Sequence, residues 1–361
     1  MGPILRLPFL ALLALLPALS PAAELWQEVE ILRTEHGVPH IRAAHLRAAG
    51  YALGWLQCED HGSTTPERLW AMRGATAKIK GRKALDDDFD ALRRRARAFE
   101  TYHLLEPETR DFNEGFAAGV NRYISQHRAE FPAHLPADFT GLDVATLTIG
   151  SGPSAARVAR FLTALKNGPD TPVAEPADPD TPPEEGSNAW ALAPSRTTSG
   201  KAILLRNPHL AWSAGYYEAH LTVPGVLDFY GDFRIGGPLG VVGGFNRHLG
   251  WSTTNSNTGD LTVIYAVPAD PASPDHYVLD GTSFPLTRLV RSVDCLDGGK
   301  LAAETRTLWE TPLGPVVHRT ADTVYLARTA GDGEFRAGEQ FLRQMRATSE
   351  AQWLDAMRLR A

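Results

Sequence analysis

Between Val29 and Ala43 the sequence VEILRTEHGVPHIRA alternates apolar and polar positions, which predicts a strand, a Gly-Val-Pro turn and a second strand. The period then changes. From His45 to about Lys166 apolar residues recur at three- and four-residue spacing, as in LRAAGYALGWLQCED and TTPERLWAMRGATAKI, and this predicts helices. The stretch DDFDALRRRARAFETYHLL adds a row of arginines, read as a solvated face. In EPETRDFNEGFAAGVNRYISQH, Phe112, Phe116, Val120 and Tyr123 line one side, and Pro107 falls early, where a helix tolerates proline.

Residues 167–186, NGPDTPVAEPADPDTPPEEG, hold six prolines and six acids and offer little to bury, so an exposed, flexible segment is expected. Beyond it the pattern becomes strand-like: NAWALA, KAILLR, YYEAHLTVPG, VLDFYGD, LTVIYAVP, TRLVRSVDC and TVYLAR, punctuated by Gly and Pro. Residues 337–359 return to a helical period. Helices segregated ahead of a run of strands predict an α+β layered fold. The last residues, AMRLRA, read as an uncapped helix broken off in mid-protein.

Composition narrows the picture. A net charge of −6 lacks the basic footprint of a nucleic-acid binder, so no nucleic-acid partner is expected. At the start, Arg6 precedes an apolar run from Leu7 to Leu19 and then small residues to Ala23. That order predicts a signal peptide over residues 1–23, hence a periplasmic or secreted protein. The run falls short of the ~20 residues that span a bilayer, so no membrane span is expected after its removal. Export permits a disulfide, and Cys58 and Cys295 are the two cysteines: one bridge or two buried thiols both fit. His36 and His40 are four apart, but the intervening Gly and Pro rule out a helical metal face.

The abrupt change of character at Gly186–Ser187 is the chemical lead. Cutting that bond would give Ser187 a free α-amine on the same residue as its hydroxyl. Such an amine, with a pKa near ~7.7–8.0, is partly neutral near pH 7 and can serve as the base that activates the nucleophile. Most Gly-Ser-Asn tripeptides are ordinary turns, so the surroundings must decide. His209 follows 22 residues later, after KAILLR, and a returning strand would bring it near Ser187, within ~4–8 Å. The loop FNRHLGWSTTNSNTGD offers backbone N–H groups that could face an oxyanion.

These blocks together resemble the penicillin acylase-like serine amidohydrolases. GSNAWALAPSRTTSGKAILLRNPHL is similar to that family's nucleophile block. VEILRTEHGVPHIRA, AAGYALGWLQCED and NEGFAAGVNRYI resemble its amino-terminal blocks, and YYEAHLTVPGVLDFYG and GFNRHLGWSTTN follow in order. The resemblance runs from Val29 to about Pro285. It implies an N-terminal nucleophile hydrolase, a four-layer αββα sandwich of α+β class left incomplete at the C-terminus. It also implies a self-cleaving precursor: a signal over 1–23, a small chain over 24–170, a spacer over 171–186, and the start of a large chain over 187–361. The two chains would remain together as a heterodimer.

By the same resemblance, Ser187 is the nucleophile, His209 orients it, and the main-chain N–H of Asn255 belongs to the oxyanion hole. A partner asparagine is expected beyond residue 361. Leu210 and Gly243 fall on acyl-pocket positions that are aromatic in penicillin acylases, which implies a roomier pocket suited to medium or long linear acyl chains. Some members bind calcium through carboxylates just after the oxyanion loop. Here Gly259, Leu261 and Thr262 fall there with only Asp260 acidic, so no cofactor and no well-formed calcium site are expected. The expected partner is a small N-acylated amine: an acyl-homoserine lactone, a lipopeptide or a β-lactam. A non-catalytic binding or scaffold protein on the same fold, or an inactive truncated fragment, is the competing reading.

Overall fold

A computed structural model describes residues 24–167, 186–209, 215–254 and 261–361. The chain enters through β1 (Val29–Arg33) and β2 (Pro39–Ala43), turning at Gly37 with φ of 79°. The helical part follows as α1 (Leu46–His61), α2 (Thr64–Ala71), α3 (Ala77–Lys80), α4 (Leu85–Thr101), α5 (Pro107–Gln126), α6 (Gly141–Thr146) and α7 (Ala155–Asn167). Next come β3 (Gly186–Leu192), β4 (Ile203–His209), β5 (Tyr216–Val223), β6 (Leu227–Arg234), β7 (Val241–Phe245), β8 (Gly250–Ser252) and β9 (Thr262–Pro268). The remaining strands are β10 (His276–Leu279), β11 (Thr282–Pro285), β12 (Thr287–Asp297), β13 (Lys300–Thr311), β14 (Gly314–Arg319) and β15 (Thr323–Thr329), before α8 (Ala337–Arg346) and α9 (Glu350–Met357).

The predicted α+β class holds. A six-stranded sheet in the order β1-β2-β5-β6-β7-β8 is antiparallel except where β2 runs parallel to β5. One face of it buries Ile41, Leu221, Phe229, Phe233 and Trp251 against Leu53 and Leu56 of α1, Phe112 and Phe116 of α5, and Leu342 of α8. A second sheet, β12-β13-β14-β15-β9, stands apart with its own small cores, and β3 and β4 form a separate two-stranded ribbon.

Helices α1 and α5 touch backbone to backbone. A Cβ placed on Gly115 would lie 1.9 Å from the Arg47 carbonyl oxygen, and on Gly54 2.3 Å from that of Phe116. Glycine is what allows this approach, and it seats the aromatic residues of both helices on the sheet.

One expectation needs correction, and one strand was missed. The arginine row of α4 is not a solvated face: Arg95 and Arg73 of the segment after α2 both bond Asp143 of α6, and Arg93 reaches Asp332 at 2.6 Å. An amphipathic period separates apolar from polar positions, but a cation facing a carboxylate on another element is also held inside. The segment TTPERLWAMRGATAKI is helical as its period predicts, divided into α2 and α3 around Gly74 with φ of 65°. The longest missed strand is β13, which pairs with β12 through the Gly298-Gly299 turn. Both glycines have positive φ there, a two-residue hairpin signal that was legible. Cys58 and Cys295 are free, buried thiols; burial pushes the Cys58 thiol well above its ordinary value.

Candidate active site

The ribbon of β3 and β4 holds two of the candidate residues, Ser187 and His209. It closes on itself because Thr197 Oγ1 donates to the Lys201 carbonyl at 2.7 Å and Gly200 takes φ of 64°. Its antiparallel register sets Gly186 opposite His209, Ser187 opposite Pro208 and Ala189 opposite Arg206. In this uncut chain the Ser187 hydroxyl donates to the carbonyl oxygen of Gly186 at 2.5 Å. The nucleophile candidate therefore touches the peptide group it would have to attack.

His209 sits beside the other partner of that bond. A Cβ on Gly186 would lie 3.8 Å from His209 Nδ1, while Asn207 Nδ2 and His209 Nε2 are 3.3 Å apart. Side chains alternate faces along a strand, so the register puts His209 on the Gly186 face and Ser187 on the other. The imidazole thus flanks Gly186, across the ribbon from the Ser187 side chain.

The Ser187 face carries Ala189, Ala191, Leu204, Arg206 and Pro208, and Leu204 and Arg206 turn toward β7 and β8. Arg206 Nη1 donates to Asp232 Oδ2 at 2.6 Å and Nε to Ser252 Oγ at 3.3 Å. Asp232, Gly243 and Ser252 lie in one row across β6, β7 and β8. The guanidinium spans that row over Gly243: a Cβ there would meet Nε at 2.7 Å and the Trp251 carbonyl oxygen at 2.6 Å. The space over Gly243, expected to be open, is occupied in this structure. Arginine fills it.

Sequence reasoning missed Arg206. The available signal was alternation: in ILLRNPH the cation shares a face with Leu204, whereas Ile203 and Leu205 are about half exposed.

The loop between β7 and β8 is pinned by Asn246. Its side-chain oxygen accepts from the N–H groups of His248 and Leu249, and its amide donates to the carbonyls of Met345 and Ala347. Leu210 and Asn255 lie outside the described residues, as do Gly259 and Asp260 of the calcium reading. Leu261 and Thr262 are described, and neither brings a carboxylate. Among the described residues no group of three or more His, Cys, Asp or Glu side chains is placed to hold a metal. No described helix is long and apolar enough to cross a membrane. A cavity of about 740 Å³ between α4 and the second sheet, lined by Arg93, Arg97, Arg291 and Arg328, includes none of the predicted site residues.

Comparison with known proteins gives the ribbon its context. The acyl-homoserine lactone acylase PvdQ of Pseudomonas fluorescens Pf0-1 is 29% identical over 347 residues, covering 86% of this chain and 43% of the relative. Its counterpart from Pseudomonas fluorescens Pf-5 is 30% identical over 352 residues, covering 86% and 44%. The aculeacin-A acylase of Actinoplanes utahensis is 28% identical over 367 residues, covering 88% and 45%. The chain thus spans less than half the length of these relatives. Among solved structures, a thermostable penicillin G acylase from Alcaligenes faecalis aligns at 23% identity and a TM-score of 0.41, over 47% of this chain and 31% of that one. The penicillin amidase family pattern matches residues 28–361, from β1 to the final residue, with the Gly186–Ser187 ribbon inside it. The chain belongs to the penicillin amidase family.

Proposed function

We propose that this chain forms part of an exported, self-processing amidohydrolase that removes acyl groups from N-acylated amines, with Ser187 as nucleophile. The observation that carries the reading is the 2.5 Å contact between the Ser187 hydroxyl and the Gly186 carbonyl, at a strand start inside a penicillin amidase match. Maturation proceeds by attack of Ser187 Oγ on the Gly186 carbonyl carbon. The hydroxyl proton passes to the amide nitrogen, the C–N bond breaks, and an ester and a free amine result. Water then hydrolyses the ester, leaving a Gly186 carboxylate and restoring the hydroxyl.

The new α-amine is the base for later turnovers. It takes the hydroxyl proton as Oγ attacks a substrate amide, and delivers it to the leaving amine. Water releases the acid in the second half of the cycle. His209, beside Gly186, is a positioning residue for this terminus. The backbone N–H of Asn255 is the candidate oxyanion donor, small and large chains stay together as a heterodimer, and no metal takes part in these steps. The relatives named for acyl-homoserine lactones and for aculeacin A support an acylated amine as substrate class.

Amino-terminal sequencing and intact mass of the complete protein test this. A chain beginning Ser-Asn-Ala-Trp is expected from wild type and none from Ser187→Ala. Equal cleavage of both proteins would sink the proposal, and an uncut wild type would favour a binding protein on the same fold.

A further inference from the structure

Away from the candidate site, one contact joins the two sides of the Gly186–Ser187 bond. Among the described residues, β2 and β5 are the only paired strands with one wholly before that bond and the other after it. Their parallel register has three rungs: His40 with His220, Ile41 with Leu221, and Arg42 with Thr222. Ile41 and Leu221 are buried in the core under the helices, and strand alternation turns His40 and His220 to the opposite face. There the imidazoles meet nitrogen to nitrogen, Nδ1 to Nδ1 at 3.0 Å, with ring planes 86° apart. The other nitrogen of His220, Nε2, stands 2.8 Å from Asp228 Oδ1.

That carboxylate sets the tautomers. It accepts, so His220 carries its proton on Nε2 and turns a bare Nδ1 to its partner. His40 Nδ1 then donates to it, which leaves His40 Nε2 as the nitrogen that can gain a proton. One added proton keeps the contact intact. A second must go to His220 Nδ1, where it would face the His40 N–H across 3.0 Å, cation against cation. The pair stays closed with no added proton or one, and parts with two.

The groups around the pair leave that conflict in place. Arg42 of β2 and Glu30 of β1 stand opposite each other two residues along from His40 and Leu32. Glu218 of β5 accepts from the Tyr230 hydroxyl of β6 at 2.6 Å, and burial together with that bond pushes the phenol above its ordinary value. Asp228 is engaged by the nitrogen of His220 that faces away from the contact. From β7, the apolar Phe245 stacks on Tyr230.

We propose that His40 and His220 form an acid-operated latch on the joint between the small and large chains, opened when the pair takes a second proton. The division into two chains rests on the proposed cut at Gly186–Ser187; the latch itself does not. Below the range where separated imidazoles titrate, near ~6.5, the open joint holds one proton more than the closed one, so acid favours opening. The opening constant is expected to be flat above pH ~7 and to rise by up to about tenfold per unit below pH ~6.

Amide exchange on the processed, complete protein tests this, with protection corrected for the intrinsic exchange rate. Between pH 7.5 and 5, the amides that join β2 to β5 are expected to lose about tenfold more protection than those of the β12–β13 hairpin, which contains no histidine. His40→Asn removes one imidazole and can bond His220 in either protonation state, so its β2 amides are expected to stay within about twofold of the hairpin. Protection of wild type that stays flat overturns the proposal. So does a fall shared equally by the hairpin, or one retained in His40→Asn. Should that variant fail to fold, the comparison with the hairpin inside wild type decides. A protein that is never cut at Gly186 but shows the fall retires the self-processing reading and supports the latch, now within one continuous chain.

Discussion

The paired helices α1 and α5 and the ribbon of β3 and β4 are held in opposite ways. The helices meet through backbone, four glycines removing the side chains that would keep them apart, and they bury a continuous aromatic core. The ribbon leaves Trp190, Leu192, Ile203 and Leu205 about half exposed, and its other face meets the large sheet through Arg206 and Leu204. The first region resists change because any added atom strikes a main chain. The second depends on a few polar contacts, so its position can change without loss of the core. The proposed cleavage at Gly186 would call for that freedom.

The largest effect should come from the helices. Gly115→Leu would force side-chain atoms onto the Arg47 carbonyl, and a loss of more than about 5 kcal/mol, seen as insoluble protein, is expected. A soluble variant with wild-type melting would show that the helices separate easily and erase the contrast.

Next stands Asp143, fully buried between Arg73 and Arg95. Burial alone would raise its carboxyl pKa, but the hydrogen bonds from Arg73, the Thr140 N–H and Arg95 outweigh it and hold the carboxyl below its ordinary value. Asp143→Asn should cost about 3–4 kcal/mol by leaving guanidinium charge unpaired. A depressed folded pKa means the unfolded chain takes up the proton first as pH falls. The contribution is therefore complete above the unfolded carboxylate pKa of about 3.9 and disappears as pH falls through the lower folded value. Denaturant midpoints measured from pH 7 to 2 should show a smaller acid-dependent fall in Asp143→Asn than in wild type.

The ribbon should respond in function before stability. Asp232→Asn removes the charge facing Arg206, a pair only about one-fifth exposed, and about 2 kcal/mol is expected. The cleavage rate at Gly186 should fall while helical circular dichroism holds; an unchanged rate would mean the ribbon is seated by other contacts. Smallest of all, Leu205→Ser in this 361-residue chain should shift stability by no more than about 0.5 kcal/mol, because the side chain is 56% exposed.

The sequence made the helices legible where period and composition agree: Phe112, Phe116, Val120 and Tyr123 are all buried as their spacing predicts. Strands β5 and β6 were legible by alternation, and their inward residues Leu221, Phe229 and Phe233 are fully buried. What escaped was partnership across distance. Arg206 and Asp232, or Arg95 and Asp143, look like surface charges until the fold brings them together, because a single sequence records charge but not what faces it. Likewise, Gly243 read as an absence of side chain, and only the structure shows whose side chain occupies the space. The facing of His209 was a matter of parity: a one-residue offset against Ser187 decides the side of the ribbon, and loop length alone does not fix that offset.

The hydroxyl of Ser187 resting on the carbonyl of its own preceding residue has a kinetic consequence. Attacker and target are joined by covalent bonds, so their encounter carries no cost of association and no dependence on a second molecule. Maturation by this route is first order: its half-life should stay constant when the precursor is diluted a thousandfold, whereas cutting by a neighbouring copy would slow in proportion. The clock that switches the protein on would then be set at synthesis and run at the same pace in every molecule, however few of them the cell makes.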